Sequence, residues 1–228
     1  MKKRFRGWSK SCSRRRRFVL AAACLFAAAC LAVGVFFESG MMADQSQNEA
    51  LHIDSDMSLD EAIAGTGAPE EVIRELCLVD VRYYSFDGKL HRGQLVVHRS
   101  VRQEVEEIFA LILRERFPVA RDVPIVRYGW SDDASMSDNN TSAFNYRLIA
   151  GTQRLSRHAT GHAVDINPLQ NPVIYRDGRI SPEDAVYRPG TEGTLSEDGP
   201  VVLAFIERGW RWGGHFETLT DLHHFQKP

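Results

Sequence analysis

The apolar positions of this chain fall into three patterns along its length. Phe18 to Phe37 form an uncharged, mostly apolar run of 20 residues. In a helix, about 20 residues span the roughly 30 Å hydrocarbon core of a bilayer, so the run predicts a membrane-spanning helix. Glu38 to Ala68 show little periodicity and are acidic and rich in Ser, Gln, Asn and Gly. That texture predicts a stalk, with one short helix started by the capping-box pattern Ser58-Leu59-Asp60-Glu61. From Pro69 onward the pattern is globular. Pro69 to Leu76 predicts a short helix with proline in its first turn. Leu78 to Tyr84 and Gly93 to His98 read as strands joined through the Phe86-Asp87-Gly88 turn into a hairpin. Val101, Val105, Ile108, Phe109, Ile112 and Leu113 keep helical spacing, and Pro118 stops that helix.

The rest of the chain is more broken. Ile125 to Tyr128 is a candidate short strand, and Asp132 to Thr141 a polar loop. Val201 to Glu207 is a second helix closed by Gly209. Trp210 to Trp212 and Leu222 to Phe225 are late strand candidates. Strands and helices do not alternate in βαβ order, so the expected class is α+β, an antiparallel β-sheet flanked by helices and preceded by a single N-terminal transmembrane helix. The expected division is a basic tail over 1–17, the anchor over 18–37, the acidic stalk over 38–68 and a globular domain over 69–228.

Charge gives the anchor a direction. Nine Lys/Arg and no acid fall in the first 17 residues, and after the apolar run no Lys or Arg appears until Arg74. Nine acids lie between Glu38 and Glu71. Positive charge stays inside, so the N-terminus is expected in the cytoplasm and the rest outside. A signal peptide cut after Ala27-Ala28-Ala29 or near Met42-Ala43 is the competing reading; the apolar run continues past the first site to Phe37, which favours an uncleaved anchor. The formal charge of −2 hides an exported part with 19 Lys/Arg against all 30 acids, about −11. This excludes a basic footprint for nucleic acid, while Arg14 to Arg17 suit anionic lipid. Of four cysteines only Cys77 lies outside the tail and apolar run, so the domain has no internal disulfide to rely on and needs a core.

The candidate chemistry lies in Ser156-Arg157-His158-Ala159-Thr160-Gly161-His162-Ala163-Val164-Asp165 and, far along the chain, Asp221-Leu222-His223-His224. One segment offers a His and an Asp, the other a second His, which are three protein ligands of the kind a catalytic zinc takes. Gly161, Val164, Ile166 and Pro168 argue for a loop followed by a strand. In that strand Ala163, Asp165 and Asn167 share one face, and Val164 and Ile166 the core face. His224 competes with His223 for the third position; the spacing from Asp221 favours His224. Asp221 and His224, three apart, require a bend at Asp221 before a strand. An acid there can work on a metal's water.

Taken together, these residues resemble the D-alanyl-D-alanine carboxypeptidase family of zinc peptidases, which cut bacterial peptidoglycan stem peptides, and its related L-alanyl-D-glutamate endopeptidase branch. The resemblance extends from about Leu76 to Pro228. It includes Asn140-Thr141-Ser142-Ala143-Phe144-Asn145-Tyr146-Arg147, Asp165-Ile166-Asn167-Pro168, Asn171-Pro172 and Gly209-Trp210-Arg211-Trp212-Gly213-Gly214. It implies a zinc peptidase domain with one Zn2+ held by His158, Asp165 and His224. Asp221 is implied as general base, Arg147 as support for substrate or oxyanion, and Ser156 as a substrate-side serine. The carboxypeptidases usually carry Glu where Asp221 stands, and Asp belongs to the endopeptidase-like branch. His215 stands where that branch often has Asp.

Blander roles compete with these. Asp221 could be a turn acid, Arg147 a surface ion-pair partner, and Ser156 a brace for its loop by a backbone hydrogen bond. His162 and His215 read as supporting or solvent-facing. Ser-x-x-Lys, Gly-x-Ser-x-Gly and His-Glu-x-x-His are all absent, which excludes the serine peptidase and common zincin settings. The expectation is a D-alanyl-D-alanine carboxypeptidase at the wall-facing side of a bacterial plasma membrane. An endopeptidase or an inactive peptidoglycan-binding domain is the alternative.

Overall fold

A computed structural model describes residues 50–228. The basic tail over 1–17, the anchor over 18–37 and the first part of the stalk lie outside the described residues. Among the described residues no helix is long and apolar enough to cross a membrane.

The described residues open with β1 (His52–Ile53), α1 (Leu59–Ala62) and α2 (Glu70–Ile73), followed by β2 (Leu76–Tyr84) and β3 (Leu90–His98). β2 and β3 form the expected antiparallel hairpin, in register from Leu76 opposite His98 to Tyr84 opposite Leu90. α3 (Arg102–Arg114) buries Val105, Ile108, Phe109 and Ile112 in one core with Val79, Val81, Leu95 and Val97 of the hairpin. Complete burial of each such side chain contributes about 1.5–3 kcal/mol relative to exposure.

The second face of the hairpin is covered by residues from the stretch read as stalk. β1 pairs in parallel with β3, His52 opposite His91. Ser55 Oγ donates to Gln94 Oε1 at 2.6 Å, and the Met57 N–H donates to the same oxygen at 2.7 Å. The Ser58–Glu61 capping box forms, and Ala62 packs in a core with Leu76, Val96 and Phe144. Residues 51–68 fold because the sheet edge and its second apolar face must be closed, and a polar stretch closes them through backbone pairing and a few apolar contacts.

Two further expectations fail between β4 (Arg121–Asp122) and β5 (Asn140–Thr141), which pair in parallel. Ile125–Tyr128 is a single 3-10 turn between Pro124 and a left-handed Gly129, too confined to find a strand partner. The polar loop contains α4 (Asp132–Ser137), capped by Ser131 Oγ on the Ala134 N–H.

β6 (Ala163–Asp165), β7 (Val173–Ile174), β8 (Ile180–Ser181), α5 (Pro200–Glu207), β9 (Arg211–Trp212), β10 (Thr220–Asp221) and β11 (His224–Gln226) complete the chain. The class is mixed α+β, but the expected single sheet is divided into small ones: β1-β3-β2, β4-β5, β6-β11-β9 and β10-β7-β8. Among the described residues all strand pairings are antiparallel except β1 with β3 and β4 with β5. Phe205 of α5 stacks on Phe225 of β11 and meets Trp210 edge-on, joining the second helix to the sheet that carries the site.

Candidate metal centre

His158 is delivered by a one-turn 3-10 helix, Arg157–Thr160. Ser156 caps it: its buried hydroxyl accepts from the His158 N–H at 3.2 Å. Gly161 ends the turn with φ of 70°, and a Cβ there would lie 2.5 Å from the His98 nitrogen, so both conformation and space require glycine. The chain then enters β6 with the expected parity. Val164 and Ile166 pack in the main core, while Asp165 turns to the other side.

Asp165 is held along both strand edges. Its N–H and C=O pair with Ser142 at 2.8 and 3.0 Å, and across β11 it stands directly opposite His224. Asp221 ends β10, paired with Val173 of β7, and Leu222–His223 make the bend into β11. The bend therefore follows Asp221 rather than centring on it. Gly213 permits this: a Cβ there would lie 2.4 Å from the Asp221 carbonyl oxygen.

His158, Asp165 and His224 converge, with one ligand atom from each within 4.8 Å of the others. His158 Nε2 lies 3.0 Å from Asp165 Oδ2, His224 Nδ1 lies 2.8 Å from Asp165 Oδ1, and the two ring nitrogens are 3.1 Å apart. Donors around one tetrahedral zinc, at bond lengths near 2.0–2.1 Å, are about 3.3 Å apart. The spacing therefore fits a single ion.

The outer nitrogens fix the chemistry of the inner ones. His158 Nδ1 meets the Ala143 carbonyl oxygen, and His224 Nε2 meets Gln226 Oε1 at 3.1 Å. A carbonyl oxygen only accepts, so each outer nitrogen carries the proton. In the neutral rings both inner nitrogens then present lone pairs to one point, beside a carboxylate. Three acceptors at that separation call for a cation.

The same charges that suit a cation also favour a proton at this point. Burial works against the charged form of Asp165, but His158 and His223, with hydrogen bonds from His158 and His224, hold its carboxyl well below the usual range. Burial likewise pushes His224 down, yet the Asp165 hydrogen bond and charge, with the charge of Asp221, bring it to about 9. Metal and proton compete for this centre.

Asp221 Oδ1 lies 3.1 Å from His223 Nε2, but the contact lacks hydrogen-bond alignment and leaves this buried oxygen without a donor. His223 gives its Nδ1 proton to the Asn171 carbonyl at 2.7 Å, which turns its ring away from the ligand cluster and leaves the third position to His224. Arg147 Nη2 pairs with Asp132 Oδ2 at 2.8 Å, and its Nε is buried without a partner. His162 stacks on His98, and the exposed His215 contacts Glu197 at 3.3 Å; neither joins the cluster.

Four contributors were not read from the sequence. Asp132 fell in a stretch expected to be loop, although Ser131 followed by two acids is a helix-start signal. Gln226 was accessible through strand parity, two residues beyond His224. The Ala143 and Asn171 carbonyls carry no side-chain signal at all. Beside the site, α4 and the β7–β8 hairpin border a groove of about 500 Å³ lined by Asp133, Ser137, Tyr175, Arg179, Ser181 and Glu183 among others. Ser181 is opposite Val173, which is opposite Asp221, so this wall stands two strands, roughly 10 Å, from the acid.

Residues 150–227 match the family model described as D-alanyl-D-alanine carboxypeptidase. The match spans Ser156, His158, Asp165, Asp221 and His224, and stops short of Arg147 and Asp132. Comparisons with curated proteins and with solved structures found no match.

Proposed function

We propose that this chain, whose residues 150–227 match the family model described as D-alanyl-D-alanine carboxypeptidase, is a zinc metallopeptidase that removes the terminal D-alanine from peptidoglycan stem peptides. The observation that carries the reading is the convergence of His158 Nε2, the Asp165 carboxylate and His224 Nδ1, with both outer ring nitrogens on carbonyl oxygens. Zinc bound there would supply a Lewis acid that polarises the scissile carbonyl and acidifies a water.

The chain's own residues provide the rest. Asp221 keeps one oxygen without a donor. It takes the proton of the attacking water and returns it to the leaving amine. Arg147 offers its guanidinium to the substrate carboxylate or the developing oxyanion, oriented by Asp132. The groove beyond β8 has room for more of the peptide, and its mixed acidic, hydroxyl and Arg179 lining suits a zwitterionic stem. The charge asymmetry across the apolar run supports a wall-facing location.

Metal analysis and hydrolysis of pentapeptide stems by the purified chain test the proposal. About one zinc per chain and release of free D-alanine are expected. Asp221→Ala should retain zinc and lose about 10²–10⁴-fold in kcat. An internal cut would instead assign the endopeptidase reading that Asp at position 221 favours. A chain that binds no zinc, or an Asp221→Ala variant with undiminished turnover, sinks the mechanism.

A further inference from the structure

We infer that Trp212 is a positioning residue: its indole N–H, bonded to the Leu222 carbonyl, fixes the place of Asp221 relative to His224. The inference rests on the metallopeptidase reading above, in which Asp221 works on a water and His224 holds the metal. Trp212 is buried in β9, and its backbone stands opposite Phe225 of β11, the residue after His224. Its Nε1 donates to the Leu222 carbonyl oxygen at 2.8 Å, and Leu222 is the residue after Asp221. A single residue therefore holds the chain beside both members of the pair.

The need for this contact lies in the bend between the two residues. With its buried Oδ1 lacking a donor, Asp221 is placed by the backbone that carries it. In the bend, the Leu222 N–H donates to the Pro172 carbonyl at 3.2 Å, and the His223 carbonyl accepts from the Ile166 N–H at 3.0 Å. Those bonds join backbone to backbone. Among the described residues the buried Leu222 carbonyl accepts from the Trp212 indole and from no other group. Without that donor a buried carbonyl would be left unpaired, and the bend would shift to find water or another partner. Gly214 sets the indole: a Cβ there would come within 2.6 Å of two carbons of its ring. Trp212 is thus the point in the bend where a side chain, open to substitution, holds the proposed base in place.

Zinc titration of the full chain, with steady-state kinetics on the stem peptide that the parent cleaves, tests the role. Trp212→Phe keeps an aromatic ring in the core and removes the N–H. Its kcat per zinc-loaded chain should fall by about 10–100-fold through a displaced base. KM and zinc affinity should stay as in the parent, because His224 keeps its pairing with Asp165 on β6. A purely structural role would lower the thermal midpoint and leave kcat per zinc-loaded chain alone. That result, or a loss that falls on zinc affinity with kcat unchanged, overturns the inference and leaves the metallopeptidase reading intact. A parent chain that binds no zinc overturns both. If the Phe variant does not fold, Gly214→Ala decides, since it crowds the indole and keeps its N–H: a lowered kcat at parental zinc affinity supports the role, and a parental kcat overturns it.

Discussion

Asp132 and Ser156 each hold a residue of the proposed site: Arg147 and His158. Asp132 anchors Arg147 at 2.8 Å, so Asp132→Ala should leave zinc content unchanged. It should lower kcat/KM by roughly 10–100-fold through a misplaced guanidinium, read by steady-state kinetics. Ser156 holds the His158 N–H. Ser156→Ala should cost about 0.5–2 kcal/mol in chemical denaturation, as helix-cap losses do, and leave KM unchanged if capping is its whole role; a raised KM would restore a substrate contact. The converging residues His158, Asp165 and His224 were legible in the sequence because at these spacings their side chains carry chemistry. Asp132 was hidden in a segment whose polarity reads as loop. The Ala143 carbonyl was out of reach because a backbone atom has no sequence identity.

The elements that present the site are short, and their geometry depends on close backbone contacts. Gly213 is the clearest case. A methyl group there would meet the Asp221 carbonyl oxygen at 2.4 Å and Cβ at 2.8 Å. Gly213→Ala should therefore displace β10 and lower kcat. Zinc affinity should change less, because His224 is fixed by its own ladder with β6; parallel kinetics and zinc titration would show the split. Period-two parity correctly assigned Val164 and Ile166 to the core and Asp165 to the site. Local pattern failed where partners decide the structure. Ile125 to Tyr128 has strand-forming residues but no strand beside it, and residues 51–68 have linker composition but cover an open sheet edge and face.

At the scale of the whole molecule, the proposed zinc and pH should both act on stability. Zinc at a free concentration 100 times its Kd should add about 2.7 kcal/mol. For a chain of this size that raises the thermal midpoint by roughly 5–11 °C, a gain that a chelator should remove. Asp122 acts in the opposite sense. Its carboxylate is fully buried with no partner for either oxygen, and burial, reinforced by Asp54, raises its carboxyl well above 3.8. A carboxyl raised on folding contributes stability that is present below its unfolded value and lost as pH rises through its folded one. Asp122→Asn should therefore be more stable than the parent at pH 7, by about 1–3 kcal/mol, with the gap closing toward pH 4. Unfolding midpoints across that range would check it.

The β6–β11 pairing has a kinetic consequence. Asp165 and His224 stand opposite each other although 59 residues separate them along the chain. Such a contact bears a large loop-closure entropy and belongs to the slow part of folding, after the β2–β3 hairpin and α3 have local partners. The His158–Asp165–His224 set that could hold a metal therefore exists only once this long-range register is closed. During refolding, metal uptake should trail helix formation, and a zinc-sensitive dye would time the closure of the last sheet.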